Sequence, residues 1–452
     1  LVFSGIKPII DFGWMMTLGL TVSLFVTFLL LPSLINLLSS NSEMNIKDTE
    51  KSFITSVLGS FTKKNGIIIF SLTFLIIIFS IVGILKLEVE NSFINYFDKK
   101  TEIYKGMKKI DDELGGTTPL NIILKFPDKV KDIQEENDEF DEWEEENDDE
   151  ENKAKYWFTR DKMDKIIRVH DYLESLPEIG KVLSFGSILR VAEDLNNKEL
   201  QSLEIAVLYS KIPEAIKTEI ISPYISVEKN EARISIRIKD SLKELRRNEL
   251  IKKINLELNS KLGFEKNEYR LAGVLILFNN LLQSLFKSQI LTLGIVILGI
   301  FLMFFLLFRN IVLSLIGVVP NFIAAFFILG IIGLLGIPLD MMTITIAAIT
   351  IGIAVDNSIH YIFRFKEEFK KINDYNKTLD RCHSTVGIAI LNTSITIVFG
   401  FSILVMSNFI PTIYFGIFTG IAMMLAMISV LTLLPKLILT FRPFDEEIDN
   451  LT

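Results

Sequence analysis

The sequence predicts an α-helical polytopic membrane protein, with seven transmembrane helices and one extracytoplasmic α+β domain, on three observations. Half of its 452 residues are hydrophobic and the mean hydropathy is positive. The apolar residues gather into runs of about 20, the length that crosses ~30 Å of hydrocarbon at 1.5 Å per residue. Between the second and third runs lies a long polar stretch in which strand and helix periodicities alternate.

The apolar runs are Phe12–Leu38, Gly66–Leu85, Gln289–Phe308, Ile311–Gly336, Thr343–Phe363, Ser384–Met406 and Phe415–Leu439. Buried helices of soluble cores rarely continue that far without a charge. Orientation follows from the short loops. Lys47, Lys51, Lys63 and Lys64 lie between helices one and two, and Arg309 between three and four; Arg364, Lys366, Lys370, Lys371, Lys377 and Arg381 follow helix five. The alternate loops, Ile337–Met342 and Ser407–Tyr414, carry neither Lys nor Arg. The basic side is expected to be cytoplasmic, which places residues 86–288 outside an inner (plasma) membrane and 364–383 inside.

The net charge of −8 hides an uneven distribution: residues 134–152 hold thirteen acids and no base, so the remainder carries +5. Such a run reads as a solvated, disordered insertion. Within 86–288, Asn121–Phe126 is a strand candidate and Asp161–Leu176 has helical spacing. Ala232–Lys239 alternates Ile234, Ile236 and Ile238 with polar residues, the period of a half-buried strand. Leu245–Leu262 reads as an amphipathic helix, and Arg270–Ala272 as a strand ahead of a helix entering the membrane. Small-scale alternation of this kind suggests ferredoxin-like subdomains. The basic stretch Arg364–Arg381 reads equally well as a helix on the membrane surface, with Phe365, Phe369 and Ile372 on one face, and as an ordinary connection. The single cysteine, Cys382, forms no internal disulfide and reads as a structural thiol.

An internal repeat organises the chain. At an offset of 403, Leu1–Val2 falls on Leu404–Val405, Ser4 on Ser407, Pro8 on Pro411 and Ile10 on Ile413. Phe12–Gly13 falls on Phe415–Gly416, Leu30–Leu31–Pro32 on Leu433–Leu434–Pro435, and Leu34–Ile35 on Leu437–Ile438. Tandem membrane halves are expected, as in many transporters. Residues 1–38 would be the last helix of a truncated first half, 39–65 a cytoplasmic linker, 66–85 a transmembrane helix, 289–440 a five-helix bundle and 441–452 a cytoplasmic tail.

Helix five, TITIAAITIGIAVDNSIHYIF, carries the chemistry. Asp356 lies about three residues past its midpoint, where a carboxylate costs roughly 2.5–3.5 kcal/mol, so it is a functional candidate by default. Thr345, Gly352, Asp356 and His360 share one face at spacings of seven, four and four. Gly352 lets a neighbouring helix approach, and His360 is placed to exchange a proton with Asp356. A carboxyl whose protonation answers to small rearrangements suits a proton carrier; the alternative is a permanently protonated Asp acting as interhelical glue. Asn357 points about 100° away. Helix six offers Asn392, Thr396 and Gly400 at spacings of four, beside Thr393 and Ser394, as the partner face, although membrane Ser and Thr often bond only their own backbone. Gly352 and Gly400 are assigned to helix packing, and Asp356, His360, Asn357, Asn392, Thr393 and Thr396 to proton coupling.

At GIAVDNSIHYIFRFKEEF (352–369), NTSITIVFGFSIL (392–404) and NFIPTIYFGIFTGIAMMLAMISVLTLLPKLI (408–438), the sequence resembles the MmpL, or hydrophobe-exporter, branch of the RND superfamily. RLAGVLILFNNLLQSLFKSQ (270–289) is a weaker match. The resemblance implies a trimeric or monomeric pump that uses the proton-motive force to export lipids or other amphiphiles through a porter domain, here 86–288. Asp356 then falls on the acidic relay position, and Asn357 replaces the aromatic or acid that many relatives carry there. The implied partners are membrane lipids, a hydrophobic substrate, the missing N-terminal half and, where trimeric, further copies. A sterol-sensing, Patched-like receptor and a SecD- or SecF-like translocation component are the alternatives. No phosphate loop, nucleophile elbow or His/Cys cluster appears, so no enzyme, catalytic residue, cofactor, metal or nucleic-acid role is expected. A cysteine introduced at position 145 should be labelled in intact cells by an impermeant maleimide, and one at 370 only after permeabilisation; the reverse would overturn the orientation.

Overall fold

The computed structural model describes residues 7–38, 52–87, 89, 92–127, 157–242, 245–340 and 342–444. The acidic run 134–152, the 39–51 stretch and the tail beyond 444 lie outside the described residues. The chain divides into two compact units, Leu1–Asn91 with Leu282–Thr452, and Ser92–Leu281. Among the described residues, seven helices are long and apolar enough to cross a membrane.

The chain begins with α1, Lys7–Leu38, whose side chains are almost all exposed. It continues with α2, Phe53–Lys64, and α3, Gly66–Ile84. Helix α2 lies within the stretch 39–65 expected as a linker. It buries Thr55, Gly59 and Thr62 and exposes Phe53, Ile54, Val57 and Phe61. That polarity is the reverse of a soluble helix, so a search for an inward apolar stripe passes over it.

The Ser92–Leu281 unit holds α4 (Glu102–Glu113), β1 (Thr118–Lys125), α5 (Arg160–Glu174), β2 (Ile179–Leu183), α6 (Phe185–Asn196) and α7 (Ser202–Lys211). These are followed by β3 (Ile225–Ser226), β4 (Glu231–Ile238), α8 (Arg247–Ser260) and β5 (Tyr269–Ala272). The sheet runs β2-β4-β1-β5 with β3 against β4, every pairing antiparallel. Set aside α6, α7 and β3, and the order is one β-α-β-β-α-β unit, the ferredoxin-like pattern. Strand β4 pairs with β1 from Thr118↔Ile238 to Lys125↔Glu231. Its alternate isoleucines and Leu120, Ile122 and Leu124 are fully buried, against Met163, Ile166 and Val169 of α5 and Ile254 and Leu258 of α8. Each such side chain contributes roughly 1.5–3 kcal/mol. Asp111 fastens the corner beside β4: its carboxylate accepts from Thr117 N, Thr117 Oγ1, Asp240 N and Ser241 N at 2.8–3.0 Å. Asp240 is itself ion-paired with Arg247, both buried.

The membrane unit continues with α9 (Val274–Phe308), α10 (Ile311–Leu334), α11 (Thr343–Ile372), α12 (Tyr375–Ser384), α13 (Val386–Ser402) and α14 (Ile410–Phe441). Helices α10, α11 and α14 are central, and α3, α9 and α13 are more exposed. Without a hydrophobic force between helices in lipid, close packing relies on small residues. The crossing of α3 and α10 shows it: a Cβ at Gly83 would overlap the Gly330 carbonyl, and one at Gly333 the Gly83 carbonyl.

Asp340 starts α11. Its carboxylate accepts from Met342 N at 2.8 Å, Thr343 N at 2.7 Å and Thr343 Oγ1 at 3.0 Å, satisfying N–H groups that a helix start leaves free. Burial pushes this carboxyl above its ordinary value of 3.8, against those hydrogen bonds. At the other end, α11 runs past the expected loop to Ile372, where Asn373 turns left-handed at φ 50°. Phe365 and Phe369 are buried, stacking with Tyr375 and Phe444 at centroid distances of 4.3–6.4 Å. The apolar face read for the membrane surface therefore packs against protein. Cys382 is buried on α12, and burial pushes its thiol up to about 12, as a structural thiol requires.

Two stability tests follow from these contacts. Gly83→Leu should lower stability by about 3 kcal/mol, because the obstructing atoms are backbone and cannot swing aside. Gly299→Leu, where a Cβ meets nothing within 4 Å, should be near neutral. Thermal melts in detergent that moved equally for both would contradict the crossing. For Asp340, the raised value means the folded state holds a proton that the unfolded chain releases above pH 3.8, so stability falls as pH rises through that window. Asp340→Asn keeps the cap and removes the ionisation. Its melting temperature should exceed wild type at pH 7, and the gap should close as pH falls toward 4; a gap that widens on acidification would refute the assignment.

Candidate functional site

Helix α11 buries Ile351, Ala354, Ser358, Tyr361, Ile362 and Phe365 along one side. The same 3.6-residue period leaves Gly352, Asp356 and His360 together on the uncovered side. Asp356 and His360 pair across one turn, Oδ1 to Nε2 at 3.3 Å, with side chains 70% and 65% exposed. The sequence expectation was an Asp356 enclosed by the helices and facing helix six. The structure corrects this: no helix of the described chain covers the pair.

The cause is visible in the neighbouring residues. Asn357, turned about 100° from Asp356, is buried and donates through Nδ2 to Ser394 Oγ on α13 at 3.3 Å. Ser358 accepts from Asn321 Nδ2 on α10 at 3.2 Å, and the same amide reaches Gly317 O at 3.1 Å. These cross-links and the apolar majority set the rotation of α11 and so turn Asp356 outward. On α13, Ser394 faces inward, and Asn392, Thr393 and Thr396 are exposed. Thr393 and Thr396 donate to the carbonyls of Ile390 and Asn392 at 3.1 and 2.9 Å, bonds within their own helix. A Cβ at Gly352 or Gly400 would meet nothing within 4 Å, so neither marks a close crossing among the described helices.

Of the sequence candidates, the structure thus joins Asp356 with His360, and links Asn357 to α13 through Ser394. Asn321 and Ser358 were missed, although an Asn inside VVPNFIAAF was signal enough; Ser394, read as part of the helix-six face, is the one that meets α11. The Asn321 Oδ1 and the hydroxyls of Thr350 and Thr419 are buried with no hydrogen-bond partner among the described residues.

On the basic-loop side, His383 ties three helices together. Its Nε2 donates to Leu431 O of α14 at 2.9 Å, which leaves Nδ1 to accept from Tyr361 of α11 at 3.2 Å. Burial holds its pKa below the ordinary histidine value. Among the described residues no group of three His, Cys, Asp or Glu side chains is placed to hold a metal.

Comparison with known proteins agrees with this architecture. A membrane protein of Methanocaldococcus jannaschii is 33% identical over 159 residues, 35% of this chain. The match spans 41% of that relative's length. The sequence pattern of the MMPL family matches residues 147–445, which take in most of the α/β unit and all five helices of the C-terminal bundle. This polytopic, transporter-like membrane protein belongs to the MMPL family.

Proposed function

We propose that the chain is the C-terminal half of a proton-motive-force-driven exporter of lipids or other hydrophobic molecules, with Asp356 as the proton carrier and His360 as its partner. The observation that carries this reading is the uncovered Asp356–His360 pair on a helix whose other faces are buried. Against hydrocarbon, each such group would cost roughly 2.5–3.5 kcal/mol. The exposed stripes of α10 and α14 are what lipid accepts: Val312, Leu315, Val319 and Phe326 on one, Ile417, Ile421, Met424 and Ile428 on the other. A polar stripe calls for a polar protein surface, and the repeat at offset 403 supports a second membrane half to supply it. Asn392, Thr393 and Thr396 on the exposed side of α13 are available to the same partner surface.

The test uses the complete protein in proteoliposomes, following efflux across an imposed pH gradient. Asp356→Asn should reduce transport to the background rate with expression and melting temperature nearly unchanged. Asn keeps the shape and hydrogen bonding of Asp but carries no titrating proton. His360→Ala should give a partial defect that varies with pH. Wild-type transport by Asp356→Asn would end the proton-carrier reading, since structural glue is served equally well by an amide.

A further inference from the structure

A cavity of about 460 Å³ lies between α2, α12 and the end of α11. From α2 it is lined by Ser52, Thr55, Ser56 and Gly59, and from α12 by Lys377, Asp380, Arg381 and Ser384. Its volume falls within the range of small-ligand sites. The residues follow from helical spacing: 52, 56 and 59 share one face of α2, and 377, 381 and 384 one face of α12. The floor is held in place by His383, beneath Gly59, where a Cβ would come within 3.3 Å of the imidazole.

The cavity's charge is positive. Asp380 is paired with Lys63 at 2.5 Å. Among the described residues, neither the Lys377 ammonium nor the Arg381 guanidinium forms a close ion pair, although the Asp374 carboxylate lies near enough to feel the Lys377 charge. Among the described residues the Ser56 hydroxyl has no hydrogen-bond partner, and the Ser52 side chain makes no capping bond at the start of α2. Two cations and the Ser52 and Ser56 hydroxyls lining one hollow are groups that bind a phosphate oxyanion.

A separate observation sets the depth. The opposite face of α2 exposes Phe53, Ile54, Val57 and Phe61, and Lys63 and Lys64 sit in its last turn. An apolar face backed by a polar face and terminal lysines is the pattern of a helix lying in the interface plane, its apolar side among the upper acyl carbons. In that position the cavity opens at headgroup level on the side of the Lys/Arg-rich loops.

We propose that this cavity binds the phosphate of an anionic phospholipid headgroup from the leaflet on the basic-loop side, a lipid held apart from the transport route. The proposal does not depend on Asp356 or on proton coupling. The test measures binding of short-chain phosphatidylglycerol to the full-length protein in a neutral detergent, with phosphatidylcholine and glycerol 1-phosphate as comparison probes. Phosphatidylglycerol should bind at least tenfold more tightly than either. The pair Lys377→Gln/Arg381→Gln should weaken it tenfold or more, while Lys370→Gln/Lys371→Gln, the same charge change outside the cavity, should leave it within twofold. Ser56→Phe, which fills the mouth without altering charge, should abolish the preference. Equal losses for both charge pairs would show diffuse attraction and overturn the site. Equal binding of glycerol 1-phosphate and phosphatidylglycerol would overturn the lipid assignment, and unchanged binding in the cavity variants would overturn both.

Discussion

Hydrocarbon offers no hydrogen bonds, and nearly every polar side chain in the bundle is disposed accordingly. Thr73, Ser80 and Thr432 return their hydroxyls to carbonyls one turn back, at 2.6–2.8 Å. Asn321 with Ser358 and Asn357 with Ser394 close across helices. These two bonds matter beyond their individual worth, on the order of 0.6 kcal/mol in membranes, because they fix the rotation of α11 against both neighbours. Rotation in turn decides which residues of α11 the bundle keeps and which it leaves for something else. The uncovered position of the Asp356–His360 pair is thus a product of the hydrogen bonds made next door.

Much of this was legible in the sequence, and the reasons differ by element. The spans are visible because 20 apolar residues in a row have few other uses, and the isoleucine alternation of β4 gave its register to the core. The direction of Asp356 was not. Helical spacing places Gly352, Asp356 and His360 on one face with certainty, but the facing neighbour depends on how α11 and α13 are turned relative to each other. That angle is set by contacts between distant residues such as Asn357 and Ser394. Grouping Asn392 and Thr396 with Asp356 was sound arithmetic on each helix separately.

One reading on the basic-loop side failed because the apolar face it assigned to the membrane surface meets protein. Phe365 and Phe369 have the spacing of a membrane-surface stripe, yet they complete an aromatic cluster with Tyr375 and Phe444. Helix α2 shows the converse, with its small and hydroxyl residues inward and its phenylalanines outward. Amphipathic periodicity reports that a helix has two unlike sides. It does not say which solvent, lipid or protein, takes the apolar one.

Helix α11 is 30 residues long without a proline, which makes it about 45 Å from its Asp340 cap to the left-handed turn at Asn373. It enters the bundle through one buried carboxylate and leaves it through the aromatic cluster, with Asp356 part-way between. A body of that stiffness has no hinge at which to lose a displacement. On the proposed proton-carrier reading, a shift along its axis begun where a proton binds or leaves would be felt at both ends of α11.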